Sequence, residues 1–185
     1  MVLIFFVFFL LILDEEYFFI QKKEEKSLVE ILDEAMDYYK KVLKDDPNSF
    51  LVRANILKVS YFKGTYTGLS EEKAKEVFAK AKKVGEEGKK ILMDKLKIEK
   101  LKEPEEVAEK AKDIEGVAEF FFWDSACWGQ WALLYGKLKA AREGAAKKIW
   151  FSATVALILN EKLEGGGPHR VLGRPHHQTP IIPLF

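Results

Sequence analysis

The residues best suited to chemistry are three histidines near the carboxyl end of the chain. His169, His176 and His177 could hold a metal ion together with Asp124 or Glu164, since imidazole and carboxylate groups are common metal ligands. Adjacent histidines on one helix point about 100° apart, so both rarely bind the same ion. We therefore expect these side chains to be exposed or packed. We predict no metal site and no cofactor, and a metal-dependent enzyme is the least favoured of three functional alternatives.

A single cysteine and a glycine-rich turn are the other candidates for chemistry. Cys127 is the only cysteine, which excludes an internal disulfide, and its apolar surroundings predict an inert thiol. The Gly-Gly-Gly run at 165–167 lacks the lysine and hydroxyl residue of a phosphate-binding loop. We predict a turn there, with Arg170 at the start of the next helix as a candidate anion ligand. No catalytic residue is predicted.

An aromatic stripe runs along one predicted helix. Its four members are spaced to share one broad face, and they are Trp123, Trp128, Trp131 and Tyr135. Such a stripe most often belongs to a core, and the alternative is a groove or cavity for an apolar ligand. Asp124, Gln130 and Arg142 are the polar groups in this region, and a buried member would need a partner. We predict an Asp124–Arg142 pair that could also clamp a ligand.

The composition is that of a folded protein with balanced charge. The chain has 185 residues, of which 48% are hydrophobic, and 30 basic residues face 29 acidic residues. The length fits one domain, or one domain with an appended segment. The charge balance argues against a nucleic-acid partner, because phosphate neutralisation needs an excess of basic residues. The lysine- and glutamate-rich runs between residues 71 and 115 are expected to be solvated faces.

Capping residues, prolines and glycines divide the chain into helices. Ser27 with Glu30 forms a capping-box pattern, and Pro47 ends that helix. Further helices are expected after residues 48–49, after residue 70, from about residue 105, over 117–135 and over 140–159, with a loop at 64–68. Trp150 is expected to face inward in the last of these. No segment has strand periodicity, so the sequence predicts an all-α fold of about seven helices.

The first 20 residues differ from the rest. Residues 1–13 are uninterrupted apolar residues, fewer than the roughly 20 that a membrane-spanning helix needs. Two interpretations stay open, an export signal or membrane anchor and a first helix buried in the fold. The first places the protein in the periplasm or cell envelope with membrane association through residues 1–20, and the second places it in the cytoplasm. An exposed apolar segment would also favour a homo-oligomer. Residues 27–185 form the predicted helical domain.

A repeat pattern links three of the predicted helices. Each has a small residue, an aromatic or small residue three or four positions later, and a further small or apolar residue. The copies are Ala35–Tyr39–Val42, Ala74–Phe78–Ala81 and Ala153–Ala156–Leu157. This is the second-helix pattern of tetratricopeptide repeats, in which small residues let helices pack closely. Trp128-Gly129 and Leu172-Gly173 fit first-helix positions, where a neighbouring helix packs against bare backbone. We predict a degenerate solenoid of antiparallel helix pairs.

The last third of the chain resembles a known family. The matching segments are Trp123-x4-Trp128-Gly129-x-Trp131, Leu138-x2-Ala141-Arg142-x-Gly144-Ala145 and the run 164–174. They are similar to the T component of tripartite ATP-independent periplasmic (TRAP) transporters. The resemblance implies an exported scaffold of degenerate tetratricopeptide-like helices, with a periplasmic solute-binding protein as partner.

The leading functional prediction is a non-catalytic scaffold that binds another protein or peptide at the bacterial envelope. The candidate contacts lie on two first helices and are Arg53, Asn55, Lys58, Tyr61, Trp131 and Tyr135. The rival is a small-ligand carrier or transporter accessory with an apolar channel lined by Trp123, Trp128 and Trp131.

Overall fold

The computed structural model describes residues 27–178, and every regular element in that range is a helix. The helices are α1 (Leu28–Asp45), α2 (Phe50–Tyr66), α3 (Glu71–Leu96), α4 (Pro104–Ala111), α5 (Val117–Tyr135), α6 (Lys137–Arg142), α7 (Ala145–Leu159) and α8 (Gly167–Gln178). The all-α prediction is confirmed, with eight helices in this range where about seven were expected. The predicted apolar segment 1–20 and the end of the chain from residue 179 lie outside the described residues.

Serine side chains cap the first three helices, at the starts that the sequence predicts. Ser27 Oγ accepts a hydrogen bond from the Glu30 N–H, and the Ser27 N–H donates to the Glu30 carboxylate at 2.7 Å. This completes the capping box, which satisfies two otherwise unpaired donors. Ser49 and Ser70 cap α2 and α3 in the same way. Helix α1 ends at Asp45, two residues before Pro47.

Two predicted boundaries are wrong. The predicted loop at 64–68 is helical up to Tyr66. Gly64 does not end the helix but leaves room for the Phe78 ring, which a Cβ at this position would overlap. The predicted helix over 140–159 is two helices, α6 and α7, which are separated where Gly144 adopts a φ of +64°. This left-handed geometry interrupts the helix. The prediction that Trp150 faces inward is also wrong, since its side chain is 50% exposed.

Two antiparallel hairpins lie side by side in the same orientation. In the first, Gly64 near the end of α2 contacts Phe78 near the start of α3. In the second, Asp124 of α5 contacts Ser152 of α7, and Trp128, one turn later in α5, contacts Lys148, one turn earlier in α7. The two first helices, α2 and α5, run parallel: the rings of Phe50 and Phe120 near their starts are 5.5 Å apart, and further along the Cys127 thiol donates to the Leu57 carbonyl.

Helix α5 is the centre of the molecule, in contact with α2, α3 and α7. Ten of its residues are buried, including Phe120, Asp124 and Trp128. Two glycines of α3 let α5 approach closely. A Cβ at Gly85 would overlap the Asp124 carboxylate, and a Cβ at Gly88 would overlap the Phe120 ring. The sequence allowed close approach or a bend at these glycines, and the structure shows close approach.

The glycines expected to receive neighbouring helices are not used in that way. A Cβ at Gly129 or Gly173 would have no atom of another residue within 4 Å beyond its chain neighbours and its own helix. The prediction of bare-backbone packing after Trp128 and Leu172 is therefore wrong. The close contacts fall instead at other glycines, among them Gly64, Gly85 and Gly88.

The remaining helices extend this arrangement. Helix α1 packs on α2, where Asp33 and Lys63 form an ion pair. Helix α4 is an additional short helix that lies against α7. Helix α8 packs on α7 and α5, and the Phe122 ring lies against Gly167 at its first residue.

Candidate functional site

An aromatic cluster joins the two parallel first helices. We call this cluster the aromatic face and define it as Lys58, Tyr61, Phe62, Tyr66 and Trp123. The Tyr61 ring is 5.5 Å from the Trp123 ring, and the Phe62 ring is 5.9 Å from the same ring. Trp123 is buried, whereas Phe62 is 39% exposed and Tyr66 is 60% exposed. The cluster therefore has a covered indole as its floor and two uncovered aromatic rings at its surface.

Lys58 ties the aromatic face to the turn before α8. Its Nζ lies 5.3 Å from the centre of the Trp123 ring and 2.8 Å from Glu164 Oε1. Both side chains of this ion pair are more than one third exposed, so the pair contributes little stability. It places a cation and a carboxylate at the rim of an aromatic surface, which suits recognition of a partner with polar and apolar groups.

The other aromatic residues of α5 form a separate cluster with lysines. The rings of Trp128 and Trp131 are 5.4 Å apart, and those of Trp131 and Tyr135 stack at 4.8 Å. Lys82 Nζ lies 4.0 Å from the Trp128 ring centre and 3.5 Å from that of Trp131. Trp123 instead contacts α2. The prediction that all four aromatic residues share one face is wrong, because Trp123 is turned toward the other hairpin.

Three lysines of α3 reach α5 at intervals of seven residues. Lys75 lies over the Tyr135 ring, Lys82 over two tryptophan rings, and Lys89 against the Asp124 carboxylate. Residues seven apart lie on one helix face. The prediction that the charged runs from residue 71 are solvated faces is wrong for these three lysines. Their seven-residue spacing opposite an aromatic helix was the signal available in the sequence.

Asp124 is a buried carboxylate with partners on two helices. Lys89 Nζ of α3 lies 2.5 Å from Asp124 Oδ2, and the Ser152 hydroxyl of α7 donates to the same oxygen at 2.8 Å. Asp124 is 1% exposed. The predicted Asp124–Arg142 pair is wrong, because Arg142 is exposed on α6. The carboxylate clamps α3, α5 and α7 together and offers no surface to a ligand.

The four α2 residues predicted as contacts do not share one surface. Arg53 is 5% exposed, and its Nη2 donates to the Pro47 carbonyl at 2.7 Å. Burial lowers the pKa of Arg53, while the nearby Glu87 carboxylate raises it. Asn55 is half-buried. Of the predicted set on α2, Lys58 and Tyr61 belong to the aromatic face.

The Arg170 side chain forms hydrogen bonds with the glycine-rich turn that precedes it. Gly165 and Gly166 have φ values of +64° and +80°, which agrees with the predicted turn. Arg170 donates from Nη1 to the Gly165 carbonyl at 2.5 Å and from Nη2 to the Glu164 carbonyl at 2.7 Å. The guanidinium that was a candidate anion ligand thus holds the turn closed.

The Cys127 thiol is buried and is not activated for reaction. Its thiol is 1% exposed and donates to the Leu57 carbonyl at 3.4 Å. Burial raises the pKa of Cys127 well above its ordinary value, and the Asp124 charge raises it further. The thiolate needed for nucleophilic attack is therefore not formed near neutral pH.

His169 is the histidine whose side chain the structure describes, and it belongs to no metal centre within residues 27–174. No group of three or more histidine, cysteine, aspartate or glutamate side chains is arranged there to hold an ion. His169 is exposed at the start of α8. The side chains of His176 and His177 lie outside the described part of the chain.

A cleft among the described residues is not lined by tryptophan side chains. This cleft of about 540 Å³ lies between α4, the start of α5 and the end of α7. Trp123, Trp128 and Trp131 do not line it. These tryptophans occupy two separate clusters, so they do not form the common lining that the carrier alternative requires.

Together these elements define an all-helical array of antiparallel hairpins with an aromatic face along its first helices. No family model matches the chain, and neither a curated protein nor a solved structure does. Among the helices of residues 27–178, none has the length and apolar character needed to cross a bilayer.

Proposed function

We propose that this protein is a non-catalytic, tetratricopeptide-like scaffold that binds another protein or peptide at the bacterial envelope. The observation that carries the proposal is the parallel alignment of α2 and α5, which brings Tyr61, Phe62 and Trp123 together beside the exposed ring of Tyr66. Half-covered aromatic residues with a cation at the rim are typical of binding hot spots.

The packing order supports a repeat architecture. The small residues of the predicted second-helix pattern are buried in two of its three copies: Ala74 and Ala81 on α3, and Ala153 and Ala156 on α7. In α1 the corresponding Ala35 is half-buried. Each second helix is antiparallel to a first helix, and successive first helices lie together. Solenoids of this kind bind partners along the surface of their first helices.

The proposal also names the kind of partner that the scaffold binds. The resemblance to the T component of TRAP transporters suggests a periplasmic solute-binding protein as the partner. The aromatic face, with Lys58 and Glu164 at its rim, would receive an extended or helical segment of that protein. No reaction is required, which agrees with the inert thiol of Cys127.

Site-specific photocrosslinking in cells tests this proposal. A photoreactive residue at position 66 should give one dominant adduct, because Tyr66 is exposed on the aromatic face. The same residue at position 38 on α1, where Tyr38 is also exposed, is the matched control and should not give that adduct. Adding Phe62→Ala should weaken the adduct at least about tenfold, as expected for a hot-spot residue.

Two results would contradict the proposal. An identical set of adducts from positions 66 and 38 would show unspecific contact, and a full-strength adduct with Phe62→Ala would remove the aromatic face from the interface. Fusing residues 1–26 to a reporter enzyme that is active only outside the cytoplasm tests the envelope location separately.

A further inference from the structure

The cleft between α4, the start of α5 and the end of α7 carries a strong local excess of negative charge. Its lining includes one ammonium group, that of Lys112, and five carboxylates, which are Glu105, Glu109, Asp113, Glu115 and Glu119. Glu109 is paired with Lys112 at 2.5 Å. The excess is local, because the chain as a whole has a net charge of +1. We call this cleft the acidic cleft.

The acidic cleft also has apolar walls. Ala108, Ile114 and Ile158 line it, and Ile158 is 48% exposed. The chemistry therefore fits a segment that carries several cations around an apolar side chain.

Such a segment exists at the opposite end of the same molecule. Residues 137–148 contain one acid, Glu143, and five basic residues, which are Lys137, Lys139, Arg142, Lys147 and Lys148. Leu138 in this stretch is 70% exposed, more than any other large hydrophobic side chain described among residues 27–174. Lys137, Arg142 and Lys147 are exposed beside it. We call this stretch the basic segment.

The two surfaces cannot meet within one molecule. Gly116, immediately before α5, lines the acidic cleft, whereas Tyr135 at the end of α5 is adjacent to the basic segment. The 19 residues of α5 separate them by about 28 Å at 1.5 Å per residue. Helix α5 is buried between α2, α3 and α7, so this distance is fixed.

We propose that the protein associates head to tail with copies of itself, the basic segment of one copy binding the acidic cleft of the next. Leu138 lies against the apolar wall formed by Ile158, and the cations of the basic segment pair with the carboxylates around it. The contact is heterologous, so a dimer still has one free cleft and one free basic segment for further copies. The aromatic face takes no part in this contact.

Sedimentation velocity of the full chain at several concentrations and two ionic strengths tests the proposal. At low salt the mean mass should rise with concentration, and in about 0.5 M NaCl it should fall to that of the monomer, because exposed charge pairs are screened. A monomer at every concentration in low salt would overturn the proposal, as would association that salt leaves unchanged.

Two one-sided variants make the test specific. The cleft variant is Glu105→Gln, Glu115→Gln and Glu119→Gln, and the segment variant is Lys137→Gln, Arg142→Gln and Lys147→Gln. Each should be monomeric alone, while an equal mixture should form a dimer and nothing larger, since it retains one intact cleft and one intact segment. Association of either variant alone, or a monomeric mixture, would overturn the proposal.

Disulfide trapping checks the register of the contact. Leu138→Cys in one copy and Ile158→Cys in another should give a crosslinked dimer under mild oxidation, because the native Cys127 is buried and does not compete. Tyr38→Cys, at a position of α1 that is more exposed than Ile158, is the control partner for Leu138→Cys. Equal crosslinking to both positions would contradict the proposed register.

Discussion

Lys89 of α3 reaches the buried carboxylate of Asp124 on α5, with Nζ 2.5 Å from Oδ2. The carboxylate is 1% exposed and the lysine side chain 15% exposed. Ser152 of α7 donates to the same oxygen, so one charged group fixes the relative positions of three helices. Because a buried charge is costly when unpaired, this contact controls the stability of the central helix.

Replacing Lys89 with methionine should destabilise the protein by about 3 kcal/mol, since the Asp124 charge would stay buried without its counter-ion. The double variant Lys89→Met/Asp124→Leu should be less destabilised than Lys89→Met alone. Urea unfolding followed by circular dichroism measures both. Lys90→Met, at the exposed neighbouring position, is the control and should change the free energy of unfolding by less than about 0.5 kcal/mol. A double variant that is less stable than Lys89→Met alone would refute the explanation.

Alanine substitution should have opposite effects at two helical glycines. Gly85→Ala should destabilise by about 1–3 kcal/mol, because the new methyl group overlaps the Asp124 carboxylate, which Lys89 and Ser152 hold in place. Gly129→Ala should stabilise by up to about 1 kcal/mol, since its Cβ would enter open space and alanine favours helix. Thermal and urea unfolding of both variants measure the difference. Stabilisation by both substitutions would show that helix propensity alone governs these sites, and destabilisation by Gly129→Ala would contradict the open space at that position.

The pair between Lys82 and Glu143 should make stability depend on pH. The hydrogen bond from Lys82 lowers the pKa of Glu143 below its ordinary value. A carboxyl group whose pKa is lowered by folding stabilises the protein above its unfolded pKa, and that contribution is lost as the pH falls through the lowered value.

We therefore expect Glu143→Gln to be less stable than the native protein at neutral pH, and the difference to shrink as the pH falls below the ordinary glutamate range. Unfolding curves at a series of pH values measure it. Glu161→Gln, at an exposed position of the turn after α7, serves as the control. A difference that stays constant with pH would assign the effect to packing.

Cys127 should resist labelling in the folded protein. Burial and the Asp124 charge raise the pKa of its thiol, so a thiol reagent should react only after the chain unfolds. Absorbance assays with a disulfide reagent, with and without denaturant, measure the labelled fraction. Rapid labelling without denaturant would mean that α2 and α5 separate readily.

The helical class and most helix boundaries follow from the sequence alone. Ser27 caps α1 as predicted, and Ser49 and Ser70 cap α2 and α3 where helix starts were expected. Pro47 ends α1, and the apolar run from Val117 forms the central helix. These features depend on hydrogen bonds and backbone geometry within a few residues, so local sequence specifies them. The tetratricopeptide-like function and the envelope location stay predictions.

Which side chains meet depends on the tertiary packing. Asp124 pairs with Lys89 instead of Arg142, and Trp123 faces α2 while Trp131 faces the lysines of α3. Periodicity places a residue on a helix face, but the neighbour of that face depends on how the hairpins rotate and stack. That rotation is set by glycines such as Gly85, where the absence of a side chain lets two distant helices come together.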